Sequence, residues 1–77
     1  MTDFEYSIEK NYGVLSERGG WKKELNLVSW NKREAKFDVR DWAPNYEKVG
    51  KGITLTREEA EKLRDLLSIA LSESEVK

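Results

Sequence analysis

Two consecutive runs, KKELNLVSWN and AKFDVRDW, alternate in character with a period of two. That period belongs to a pleated strand, whose neighbouring side chains point to opposite faces. In the first run Leu25 and Leu27 share one face, and Asn26, Val28, Trp30 and Lys32 share the other. In the second, Phe37 and Val39 oppose Lys36, Asp38, Arg40 and Trp42. Pairing the runs through the charged turn around residues 32–34 collects Trp30 and Trp42 with Lys32, Lys36 and Arg40 on the face away from the leucines. A half-buried sheet with two indoles among cations on its wet side is the expectation.

The rest of the chain extends this pattern. FEYSIEKNY alternates Phe4, Tyr6 and Ile8 against Glu5, Ser7 and Glu9, and the pair Gly19-Gly20 marks a turn. Pro44 stops the third strand because it cannot donate a ladder hydrogen bond. NYEKVGKG reads as a polar loop before a brief strand at Ile53 and Leu55. Thr56-Arg57-Glu58-Glu59 is a capping box that opens a helix. The predicted elements are strands at about 4–15, 22–32, 36–43 and 52–55 and a helix at about 57–72, in one domain spanning 1–77. The fold class is α+β, in the order ββββα.

Size then demands a staple. A 77-residue chain has a core that supplies only about 3–5 kcal/mol, and such domains usually add disulfides, a metal or a second subunit. With no cysteine and no histidine, disulfides and the common zinc sites are excluded, together with thiol and imidazole catalysis. A second copy of the chain remains. The helix agrees, since Ala60, Leu63, Leu66, Leu67, Ile69, Ala70 and Leu71 cover more of its circumference than one sheet can bury. The excess at Leu66, Ile69 and Leu71 asks for a partner. No run approaches the roughly 18 apolar residues of a membrane span, and MTDFEYSIEK lacks a signal-peptide pattern, so a cytoplasmic protein is expected. The tail SESEVK is expected to fray.

Net charge is -1, but its distribution is uneven: residues 1–20, 21–52 and 53–77 carry -2, +3 and -2. Positive charge is concentrated where the tryptophans are. No catalytic constellation accompanies it. Asp38 and Asp41 fall on opposite strand faces, Glu58, Glu59 and Glu61 suit the positive end of a helix, and no histidine is present to activate a serine. KVGKG lacks the spacing of a phosphate loop. Exposed rings beside cations are what single-strand binders use, bases stacking at roughly 1–3 kcal/mol each while lysines follow the phosphates. The acidic helix argues against duplex recognition. The alternatives are tryptophans sealing a core edge or a dimer seam, and a protein-binding face for an acidic partner.

The run KFDVRDWAPNYEKVGKGITLTREEAEKL resembles the core signature of the transcriptional positive-cofactor-four family. The matching motifs are Asp38-Val39-Arg40-Asp41-Trp42 and Lys51-Gly52-Ile53-Thr54-Leu55, and the resemblance extends over about residues 21–71, closest to the compact bacterial branch. It implies a curved antiparallel four-stranded sheet, a homodimer through the helices, and channels for single-stranded DNA, with single-stranded RNA as the alternative ligand. The expected nucleic-acid contacts are Lys22, Lys23, Trp30, Lys32, Lys36, Arg40, Trp42, Lys48 and Lys51. Leu63, Leu66, Leu67, Ile69, Ala70 and Leu71 form the expected dimer contact. No metal, cofactor, small-molecule substrate or enzymatic activity is expected. No counterpart of the serine- and lysine-rich arm of the eukaryotic members is expected.

Overall fold

A computed structural model describes residues 5–73; Phe4 and the end of the acidic tail lie outside them. Four strands, β1 (Tyr6–Arg18), β2 (Trp21–Trp30), β3 (Lys36–Trp42) and β4 (Val49–Leu55), precede one helix, α1 (Arg57–Ser72). The strands form one antiparallel sheet in sequence order. Gly19 and Gly20, at φ 59° and 86°, make the two-residue turn between β1 and β2 whose left-handed residues match strand twist.

Two strands are longer than expected. β1 runs on to Arg18 because the irregular stretch after Tyr12 stays paired through register shifts at Ile8/Lys10, Asn11/Gly13 and Val14/Ser16. β4 begins at Val49, so half of the predicted loop is strand, joined to Trp42 across a further shift between Arg40 and Trp42. Each bulge bends its strand and increases twist. The sheet therefore curls, and the curl decides which face is inside.

Paired residues share a face, which places Tyr6, Ile8, Asn11, Lys22, Glu24, Asn26, Val28, Trp30, Lys36, Asp38, Arg40, Trp42 and Thr54 together. Glu24, Asn26, Val28, Asp38 and Trp42 on this face are all buried. The expectation that this side is wet is overturned: curvature turns it into the inner face of the chain. Gly52 belongs to the same tight construction, because any Cβ there would overlap the Arg40 side chain on β3.

The leucine face is the open one. Leu25, Phe37, Val39, Ile53 and Leu55 line a groove of about 670 Å³ together with Ala60, Leu63 and Leu67 of α1, and Ile53 remains 54% exposed. The helix touches the sheet along one edge and buries none of its residues. Its start is local chemistry: Thr56 Oγ1 accepts from the Glu59 amide at 3.1 Å, and the Glu59 carboxylate accepts from the Thr56 amide at 2.9 Å. Thr56→Ala should cost about 1 kcal/mol, which thermal unfolding would read as a fall of roughly 4–8 °C.

Candidate nucleic-acid interface

The inner face is floored by aromatic rings. Trp30 and Trp42 lie nearly parallel, 6° apart with centroids at 6.4 Å, and Tyr6 leans on both at 5.7 and 5.2 Å. Tyr46 meets Trp42 edge-on at 5.4 Å. Under these neighbours Trp42 is 1% exposed, so it is no stacking surface for a base. It is a core residue of the inner face. The Trp42 Nε1 donor is buried without an acceptor. Trp30, at the edge of the cluster, is only partly buried.

Arg40 is equally committed. Its Nε and Nη2 donate to the two Asp38 oxygens at 2.7 and 2.9 Å, Nη1 donates to the Gly50 carbonyl at 3.1 Å, and its Cζ sits 4.7 Å from the Trp30 ring centre. Asp38, fully buried, also accepts from Thr54 Oγ1 at 2.9 Å. This bidentate, ring-stacked geometry is the kind arginine holds better than lysine. The guanidinium therefore knits β3 to β4, and only 15% of the side-chain surface stays exposed.

A second buried carboxylate has no cation partner among the described residues. Glu24 accepts from Asn11 Nδ2 at 3.0 Å, Asn26 Nδ2 at 3.1 Å and the Tyr46 hydroxyl at 2.9 and 3.0 Å. Burial first, and then the bond to Glu24, raise the Tyr46 pKa above its usual value, so the phenol donates as the neutral form. Tyr46 reaches this place because Asn45 and Tyr46 both adopt φ 57°. Left-handed backbone in a bulky residue costs on the order of 1–3 kcal/mol and persists only where surroundings enforce it.

The lysines divide. Lys22 is paired with Trp42 and Lys36 with Val28, so both belong to the inner face, and Lys48 and Lys51 are exposed on the loop and strand beyond it. Lys32 departs from the expected face. β2 ends at Trp30, and Asn31 and Lys32, at φ 52° and 64°, break the alternation, leaving the Lys32 side chain 84% exposed with Glu5 at 3.9 Å. Lys23 pairs with Asp41 and lies on the opposite face, in a shallow cleft with Trp21 and Arg18. Among the described residues no acidic cluster could hold a metal, and no helix is long and apolar enough to cross a membrane.

Exposed Lys22 and Lys36 thus share the face of a ββββα sheet that carries the aromatic cluster. The model for Transcriptional Coactivator p15 (PC4) matches residues 17–66, from the end of β1 into α1. The chain belongs to this family. Membership in it supports a DNA-binding, transcription-associated kind of function; the family is a nucleic-acid-binding, non-enzymatic one. An uncharacterized protein of Treponema pallidum (strain Nichols) is 52% identical over 67 residues, covering 86% of this chain and 79% of that protein.

Three participants were not singled out from the sequence. Glu24 and Asn26 could have been, because parity puts them on the Trp30 face beside Asp38. Tyr46 could not, since its position depends on two left-handed residues after Pro44 that no periodicity signals.

Proposed function

We propose that this protein binds single-stranded DNA, largely without regard to sequence, as a cytoplasmic, transcription-associated regulator. Lys22, Lys36, Lys48 and Lys51, with Lys32 at the corner, contact backbone phosphates, while the exposed parts of Trp30 and Arg40 offer surfaces for bases. Trp42 supports that surface from beneath. The observation that carries the reading is the placement of exposed Lys22 and Lys36 on the face of the aromatic cluster in a chain of this family. Lys23 stands on the other face and has no part in this contact.

We further read the active form as a homodimer through α1. Leu63, Leu66, Leu67, Ile69, Ala70 and Leu71 are all exposed in the single chain, beside an apolar groove that the chain leaves unfilled. A second α1 is the occupant that matches both surfaces.

The test is a fluorescence titration with single-stranded and duplex oligonucleotides at two salt concentrations. If three to five phosphates are neutralised, single-strand affinity should fall with salt at a log-log slope of roughly -2 to -3.5. A flat response, or equal affinity for heparin, would favour an acidic protein partner. Tighter binding to RNA of the same sequence would reassign the ligand.

A further inference from the structure

Glu24 has a property that phosphate binding does not explain. Its carboxylate is 2% exposed and, among the described residues, makes no ion pair. Oε1 is offered three donors, from Asn11, Asn26 and Tyr46, whereas Oε2 is offered only the Tyr46 hydroxyl. That hydroxyl straddles both oxygens but has one proton to give. Both oxygens of this buried carboxylate are thus held by neutral donors, and Oε2 by the Tyr46 hydroxyl alone, so whatever replaces that hydroxyl must itself donate.

Open space adjoins this carboxylate. A pocket of about 550 Å³ is bounded by Lys22, Glu24, Trp42, Pro44 and Tyr46. The Tyr46 ring stands against Trp42 with its hydroxyl on Glu24, and it is held there by two consecutive left-handed residues. It walls the pocket as a ring with a donor at its tip, between the open space and Glu24.

We infer that one guanine of a bound single strand enters this pocket and takes the place of the Tyr46 hydroxyl on Glu24, giving the protein a base preference. Guanine carries two adjacent donors, N1–H and N2–H, which match the two oxygens of a carboxylate, and beside them an O6 acceptor that Lys22 can reach. Thymine presents one N–H between two carbonyl oxygens, which the carboxylate repels. Adenine offers one amine beside a ring acceptor. The strained turn makes Tyr46 displaceable, and its withdrawal opens the Glu24 carboxylate to the incoming base edge. This inference rests on the single-strand reading above: phosphate contacts supply most of the affinity for any sequence, and this pocket adds discrimination at one position.

The experiment compares a short oligothymidine with the same strand carrying one central guanine, titrated against wild type, Tyr46→Ala and Glu24→Gln. The guanine strand should bind wild type more tightly and Tyr46→Ala more tightly still, by about fivefold or more, the low end of a bidentate base contact. In Glu24→Gln the two strands should bind alike. Equal affinities in Tyr46→Ala, or a guanine preference that survives Glu24→Gln, would overturn the inference. Circular dichroism checks each variant; if Glu24→Gln fails to fold, the rise in preference from wild type to Tyr46→Ala decides. Oligothymidine binding itself reports on the underlying reading, so failure of both strands to bind removes that reading and this one with it.

Discussion

Trp42→Ala is expected to leave the protein largely unfolded at room temperature. Removing a fully buried tryptophan costs about 3–5 kcal/mol, the whole of what a single core of this size supplies. The ring is the contact shared by Tyr6, Trp30 and Tyr46. Thermal and urea unfolding would measure the loss. Trp42→Phe keeps most of the apolar surface and deletes the buried Nε1 that has no acceptor, so the gain of up to about 1–3 kcal/mol from removing that donor offsets part of the lost packing. The phenylalanine variant should fold, and its affinity for single strands should fall by less than about tenfold, because the ring acts from below. An alanine variant that melts like wild type would show that the indole is not part of the core.

The second large effect concerns α1. Leu66, Ile69 and Leu71 are 55%, 58% and 67% exposed, and burying each against a second helix is worth roughly 1.5–3 kcal/mol. Placing charges there, as in Leu66→Asp combined with Ile69→Asp, should abolish association, and with it the stability that a second subunit lends a small core. Sedimentation should show the variant as a monomer. The wild-type melting temperature should rise with protein concentration, as mass action requires when folding and association are linked, and that of the double variant should not. A wild-type chain that sediments as a stable monomer would remove the dimer from the proposal.

How far the sequence leads can be judged from individual elements. The helix begins at Arg57 because a capping box is satisfied by residues three apart, and the first hairpin turns at Gly19-Gly20 because left-handed backbone favours glycine. Strand parity likewise sorts Trp30, Arg40 and Trp42 onto one face and Leu25, Leu27, Phe37 and Val39 onto the other. Each depends on neighbours within a few residues. Lys32 marks the limit even here, because two left-handed residues end the alternation where the composition continues it.

Which of the two faces is buried was a question of a different kind. Alternation distinguishes the faces without saying which way the sheet curls, and the curl depends on bulges whose register is known only once strands are paired. Curvature placed Trp42, Asp38 and Glu24 inside and left the leucine face open, against the usual sorting by polarity. Tyr46 reaches Glu24 across 22 residues of sequence through a turn that no local pattern encodes. The sequence alone therefore determined the elements, their order, the family and the composition of each face, all of which follow from short-range geometry. The tertiary structure decided which face is the interior and which cations remain free, because both depend on contacts between residues far apart in the chain.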